Sequence, residues 1–182
     1  MIEKLKSMRV VSFLIFISLI VTLLLSLSNF KILIVSGQSM YPTLNDRDFL
    51  IVSKNTKNLK VNEIAVFTPP ESWHRTDSNN KSYELIKRIV AGPGDKIKIT
   101  AGEVYVNDKI VRRFTSYRET NKYEIEETLK ENQYFFIGDN IGNSYDSLSR
   151  VIEGKKDYLI SGENIKYTFS KEKVGGLINW LN

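Results

Sequence analysis

Residues 10–30, VVSFLIFISLIVTLLLSLSNF, carry no charged side chain. A run of this length matches the roughly 20 residues that a helix needs to cross the hydrocarbon core of a bilayer. It constrains the rest of the chain because it decides on which side of a membrane the remainder lies. The preceding MIEKLKSMR is short and basic, with Lys4, Lys6 and Arg9 against Glu3. Such a flank keeps 1–9 in the cytoplasm and sends 31–182 outward. A cleaved secretory leader is the rival reading, and Ser26-Leu27-Ser28 has the small-x-small form of a cleavage site. The apolar run is longer, however, than the roughly 7–15 residues of a leader's core. The expected organisation is a cytoplasmic tail (1–9), a retained transmembrane anchor (10–30) and an extracytoplasmic domain (31–182) at the cell membrane.

Composition narrows the chemistry. Of 182 residues, 42% are hydrophobic and 26% charged, as in a globular protein rather than a disordered one. The whole chain has 26 basic and 21 acidic residues; removing the three and the one in 1–30 leaves 23 against 20. That balance argues against nucleic acid as a partner. With no cysteine, disulfides, thiolate metal sites and cysteine nucleophiles are excluded. The single histidine, His74, lies in the polar stretch TPPESWHRTDSNNKSY, which reads as a surface loop. A histidine-rich metal centre is therefore impossible, and a Ser-His-Asp triad would have to use His74. Neither a cofactor nor a metal is expected.

Beyond the anchor the apolar period falls to two. Segments 48–54, 63–67, 83–90, 96–100, 103–107, 109–114, 133–138 and 164–170 read as strands. Turn signals separate them: GPGD at 92–95, AGE at 101–103 and Asn107-Asp108. Pro93 presets φ for a turn and Gly94 supplies the positive φ a type II turn needs next, so 96–114 is expected to form a meander. Two excursions interrupt the pattern, a polar one at 68–82 and a charged one at 116–132 with room for a short helix. The C-terminal KVGGLINWLN suits a short amphipathic helix, too short to cross a membrane. The expected fold is mainly β, a partly closed antiparallel barrel-like domain on one N-terminal transmembrane helix.

Ser39, in SGQSMYPTL, is a weak nucleophile unless a base takes its proton. Lys87, in YELIKRIV, is a candidate base. On a strand Leu85, Lys87 and Ile89 share one face and Ile86, Arg88 and Val90 the other, so one cation is pressed against apolar neighbours. Arginine cannot usefully release its proton, whereas lysine can. To act near neutrality the amine must fall by about 3 pKa units, costing about 4 kcal/mol of desolvation. Taken singly, each residue has a plainer reading: Lys87 can snorkel with its amine in water, and Ser39 can be a turn serine.

Together the segments carry more. SGQSMYPTL (36–44), NEIAVF (62–67), LIKRIVAGPGDKI (85–97) and IGDNIGNSYDS (137–147) resemble, in order and spacing, the four boxes of the bacterial type I signal peptidases of the Gram-positive kind. These are membrane-anchored Ser-Lys proteases that remove signal peptides from exported proteins, and the likeness runs from the anchor onward. It implies Ser39 as nucleophile and Lys87 as general base, with the Ser144 hydroxyl hydrogen-bonded to the Lys87 amine. It implies bracing roles for Asp139 and Asp146, although both also suit local turn chemistry, and places Met40 in apolar packing near the lipid surface. At Gly37 some members have a serine hydroxyl in the oxyanion hole; without it, backbone N–H groups including that of Ser39 must carry the task. The family's usual arginine after Asp-Ser is replaced by Leu148, with Arg150 arriving two residues later, so an Arg150–Asp146 pair is open.

The implied substrate is an extended preprotein segment with small residues one and three positions before the cut. Such a segment binds by adding to a sheet edge, with alternate side chains in pockets, for which residues 32–35 and 84–86 are candidate walls. Membrane lipid and the secretion translocon are the other expected partners. Three alternatives compete. A non-catalytic assembly chaperone of the same fold would lack the Ser-Lys pair. A self-cleaving repressor would need a DNA-binding domain where the uncharged run stands, and an endoplasmic-reticulum relative would use histidine in place of Lys87.

Overall fold

The computed structural model describes residues 2–73, 83–114 and 123–169. His74 with the rest of 74–82, residues 115–122 and the C-terminal stretch from 170 onward lie outside the described residues. The chain opens with helix α1 (Ile2–Leu27). Its described side chains between Val11 and Val21 are almost all apolar and exposed, Phe13 and Leu19 among the most open at 62% and 65%. Thr22 returns its hydroxyl to the Ser18 carbonyl, so that polar group is satisfied inside the helix. Among the described residues no helix is long and apolar enough to cross a membrane, the side chains of 23–27 not being among them.

The remainder is mainly β. Strands β1 (Phe30–Ile34), β2 (Phe49–Ser53), β3 (Ile64–Phe67), β4 (Leu85–Ala91), β9 (Gln133–Ile137), β10 (Ile160–Ser161) and β11 (Ile165–Phe169) build one sheet, in the order β1-β2-β11-β3-β4-β9-β10. A second sheet runs β7-β6-β5-β8, from β5 (Lys96–Thr100), β6 (Glu103–Val106), β7 (Lys109–Arg113) and β8 (Ile125–Thr128). Every pairing is antiparallel. Register shifts between Ile89 and Ala91 on β4, and between Ile165 and Tyr167 on β11, bend the large sheet. It curls without closing, with β1 and β10 as its ends.

All eight expected strands form, and the meander turns as its residues demand. Gly94 has φ +84°, and the two tight hairpins carry consecutive positive φ at Ala101-Gly102 and Asn107-Asp108. Three strands escaped the periodicity. β1 follows directly on the uncharged run 10–30 and shares Phe30 with it, and β10 is two residues long. β8 falls in the described part of the charged excursion; the room for a short helix at 116–122 lies outside the described residues. Glu126 of β8 lies between Lys96 and Lys98 of β5, forming ion pairs on the solvent face, while Ile125 joins the core edge.

Three apolar clusters lie beneath the sheets. One fills the space between the small sheet, β9 and helix α2 (Ser147–Ile152), around Ile97, Ile99, Phe135 and Leu148. A second gathers Phe67, Trp73, Ile89 and Phe136, with the Phe67 and Phe136 rings stacked 4.4 Å apart. The third, Val35, Leu44, Leu50, Val52 and Val66, closes over Met40, which is only 1% exposed. Met40 thus packs among apolar side chains as expected, as an interior anchor of the β1–β2 loop, while Tyr41 stays out. This packing sets the loop carrying Ser39 beside β4.

Candidate active site

Ser39 lies in a tight turn between β1 and β2. The turn is held by its own bonds, Tyr41 N–H to Gln38 O at 3.1 Å and Leu44 N–H to Met40 O at 3.0 Å. Gly37 enters it with φ +88°, a conformation that favours glycine. The Gly37 N–H donates to Asp46 Oδ1 at 2.7 Å, which commits that donor to the turn itself.

Lys87 comes from the middle of β4, opposite Ala65 on β3. Its side chain is buried, with 3% of the residue exposed, and its amine donates to Ser39 Oγ at 2.7 Å and to Ile86 O at 3.0 Å. Burial pulls the amine from its ordinary 10.5 down to about 8, against the opposing pull of the Asp146 charge. Lys87 does not snorkel; the strand face turns its amine inward to Ser39 on the wall of a cleft, and not out along the sheet surface. Arg88, pointing the other way, forms a two-pronged pair with Asp139, Nε to Oδ1 at 2.8 Å and Nη2 to Oδ2 at 2.5 Å.

The loop after β9 grips the turn from behind. Asp139 also accepts the Thr43 hydroxyl at 2.5 Å, and Arg112 of β7 approaches it at 3.4 Å, tying the small sheet to the same carboxylate. Burial would raise the Asp139 pKa, but the bonds from Arg88 and Thr43 outweigh it and hold the carboxyl below its ordinary 3.8. Asn140 donates its backbone N–H to Ser39 O and its side-chain amide to Gln38 O, both at 3.0 Å. Gly138 lies so close that a Cβ there would sit 2.2 Å from Ser144 Oγ and 2.6 Å from Ser39 O. Sequence reasoning singled out Asp139 in this Gly-Asp-Asn stretch and missed its two neighbours, as it missed Thr43, Asp46 and Arg112. The polar triplet itself was the available signal for Gly138 and Asn140; nothing in the sequence marks Arg112.

The remaining candidates fall differently. Asp146 is buried, caps α2 in a reciprocal capping box with Ser149, and accepts the Gly138 N–H at 2.8 Å. Ser144 does not meet Lys87 as expected. Its hydroxyl oxygen is buried against Gly138 without a hydrogen-bond partner among the described residues, while the amine's bonds go to Ser39 and Ile86. Arg150 pairs with Asp157 and Tyr145 and lies over the Trp73 ring, and among the described residues it forms no ion pair with Asp146. The one-turn helix carries Arg150 to the far side, and Asp146 spends its oxygens on backbone N–H groups.

Beside the pair opens a cleft of about 530 Å³, walled by Leu33, Ile34, Val35, Leu85 and Ile86, with Tyr145 at its edge. Residues 85–87 pair with β3 on one side, whereas β9 pairs with β4 only from Arg88 onward. The β4 edge beside the cleft is thus open.

Comparison with known proteins gives this arrangement a family. The chain is 34% identical over 117 residues to the probable signal peptidase I-2 of Synechocystis, covering 62% of this chain and 52% of that protein. It is 28% identical over 181 residues to signal peptidase I U of Bacillus subtilis, covering 91% and 89%. Among solved structures, a signal peptidase I of Enterococcus faecalis aligns with a TM-score of 0.43 at 17% identity, over 63% of this chain and 98% of that one. The family described as signal peptidase, peptidase S26, matches residues 7–166, from within α1 to the start of β11, and the chain belongs to it.

Proposed function

We propose that this chain is a membrane-anchored serine endopeptidase that removes N-terminal signal peptides from exported preproteins, cutting after small-x-small motifs, with Ser39 as nucleophile and Lys87 as general base. The observation that carries the assignment of residues is the 2.7 Å separation of Lys87 Nζ and Ser39 Oγ inside a buried site. The amine donates to the hydroxyl oxygen while charged; once neutral, its lone pair can accept the hydroxyl proton. In the reaction Ser39 Oγ attacks the scissile carbonyl as Lys87 takes the proton, and the protonated amine returns it to the leaving nitrogen. Water, deprotonated by the same amine, then releases the acyl group.

An extended substrate fits the cleft because the open β4 edge offers main-chain partners, and the apolar walls leave shallow room for small side chains. Anchoring draws support from two features. The run at 10–30 is uncharged. Phe30, Ile32 and Ile34 project from one exposed face of β1, beside Phe49 of β2, itself 77% exposed, and an apolar face of this kind suits a lipid surface. Anchor and face would confine enzyme and membrane-held preprotein to one surface and raise their effective concentration. The domain then works on the extracytoplasmic side.

The test is processing of a purified preprotein by the full chain in detergent. Wild type should yield mature product, and Ser39→Ala should yield none while unfolding at an unchanged temperature. Cleavage by Ser39→Ala would end the proposal.

A further inference from the structure

We infer that the Asn140 side chain is a positioning residue for the oxyanion-binding N–H of Ser39. The inference rests on Ser39 being the nucleophile. Its starting point is an unusual use of an asparagine. Asn140 occupies the N-cap position of the short 3-10 turn Ile141–Asn143, where its side chain would ordinarily accept a backbone N–H. It makes no such cap. Its amide instead reaches 102 residues back along the sequence to donate to Gln38 O at 3.0 Å.

Peptide planarity gives that bond its consequence. In a trans peptide the carbonyl of one residue and the N–H of the next point in opposite directions. Fixing Gln38 O toward Asn140 therefore turns the Ser39 N–H away from Asn140. That is the side of the cleft, which Gln38, Ser39 and Met40 line and Asn140 does not. Among the described residues the Ser39 N–H has no acceptor, and the nearby Gly37 N–H is already bound to Asp46. The Ser39 N–H is thus left available for the negative oxygen that forms when Oγ adds to a carbonyl.

Asn140 brackets Ser39 from both sides by separable means. Its backbone N–H holds the peptide that follows Ser39, and its side chain holds the one that precedes it. Gln38 O also accepts the Tyr41 N–H of the turn, so the amide supplies the second of two bonds there. Removing the amide frees the orientation of one peptide plane and leaves the turn and the backbone clamp in place. The loss should stay below the 10²–10³-fold expected for deleting an oxyanion donor outright.

The experiment uses the full chain in detergent with the variants Asn140→Ala and Asn140→Asp. Two probes share one substrate-derived peptide, ending in an aldehyde or in the corresponding alcohol. The aldehyde carbon bonds to Ser39 Oγ, its π electrons move to oxygen, and the serine proton passes to Lys87; the alcohol cannot react. In Asn140→Ala, kcat should fall about ten-fold with KM within about two-fold of wild type. Aldehyde affinity should fall by the same factor, with alcohol affinity unchanged. Asn140→Asp, which turns an oxygen toward Gln38 O, should lose more. A kcat within two-fold of wild type in Asn140→Ala, or equal weakening of aldehyde and alcohol, overturns the inference. Activity in Ser39→Ala would instead remove the reading on which it rests.

Discussion

Lys87 Nζ and Ser39 Oγ, contributed by segments 48 residues apart, meet at 2.7 Å, and the lysine is 97% shielded from solvent. Neither half of this relationship would suffice for chemistry. A close but solvated amine would hold its proton at neutral pH, and a buried amine without the hydroxyl would only destabilise the fold. Their coincidence is what the proposed reaction requires, an amine of lowered pKa against a hydroxyl that needs a base.

Substitutions of Lys87 should separate charge from shape. Lys87→Met fills the same channel without a base, and Lys87→Arg keeps a cation that cannot release its proton. Both should reduce preprotein processing by at least about 10³-fold, on the order of losing an essential base. Lys87→Arg should also lower the unfolding temperature, because the bulkier guanidinium must be accommodated in a buried site. Retention of even a tenth of wild-type turnover by Lys87→Met would remove Lys87 from the reaction.

The pH dependence follows from the shift of this amine to about 8. The kcat/KM of wild type should climb with pH and level off above an apparent pKa near 8. Stability should move in the same sense. Below pH 8 the amine is charged in folded and unfolded chains alike, and the folded chain bears the full desolvation cost. Between 8 and 10.5 the unfolded chain binds a proton that the folded chain has released, so stability rises with pH. The difference of 2.5 units (10.5 minus 8) corresponds to about 3 kcal/mol. Lys87→Met should therefore exceed wild type by up to about 3 kcal/mol at pH 7, and the gap should close above pH 10.5. Urea unfolding at several pH values checks both sign and window.

Much of this site could be read from residues that act through local chemistry. The alternation around Lys87 announced a cation on an apolar face, and Gly94 and Asn107-Asp108 announced their turns, because strand period and positive φ are local properties. Contacts across distant segments left no such mark. Asn140 carries no mark of its contact with Gln38 until the fold brings the two together. Arg112 looks like one more solvent-facing charge on β7 until the small sheet lays it against Asp139. Arg150 was judged by its spacing from Asp146, whereas a helical turn sends it to Asp157. β8 was not read as a strand because its charges pair across the sheet, a relation that sequence spacing does not record.

Gly138 offers a test of how closely the loop after β9 must approach the nucleophile. A Cβ at this position would stand 2.2 Å from Ser144 Oγ, 2.7 Å from Ser144 Cβ and 2.6 Å from Ser39 O. Gly138→Ala should cost about 1–3 kcal/mol from overpacking and displace Ser39, lowering kcat by more than about ten-fold. Adding Ser144→Gly clears two of the three contacts and leaves the one to the Ser39 carbonyl. The double variant should recover part of the stability and little of the activity. Full recovery of activity would show that the Ser144 contacts, and not the approach to Ser39, make glycine necessary here.

Asp139 joins Thr43 at the end of the nucleophile turn to Arg88 on the base's strand, so its charge should couple the two halves of the site. Asp139 and Arg88 are 9% and 18% exposed, and Asp139→Asn keeps the shape while leaving the guanidinium without its counter-charge. The expected loss at pH 7 is about 2 kcal/mol, less than for a fully buried pair because both groups retain some contact with water. Turnover should fall with it, since Thr43 loses a charged acceptor for its hydroxyl. Acid supplies the control. The folded carboxyl lies below its ordinary 3.8, so its contribution is complete above that value and disappears as pH falls through the lower, folded one. The stability gap between wild type and Asp139→Asn should therefore be constant from pH 7 to about 4 and shrink below 3.8, as measured by urea midpoints at each pH. A gap that stayed constant down to pH 2 would mean that the loss in Asp139→Asn comes from packing and not from the carboxylate's charge.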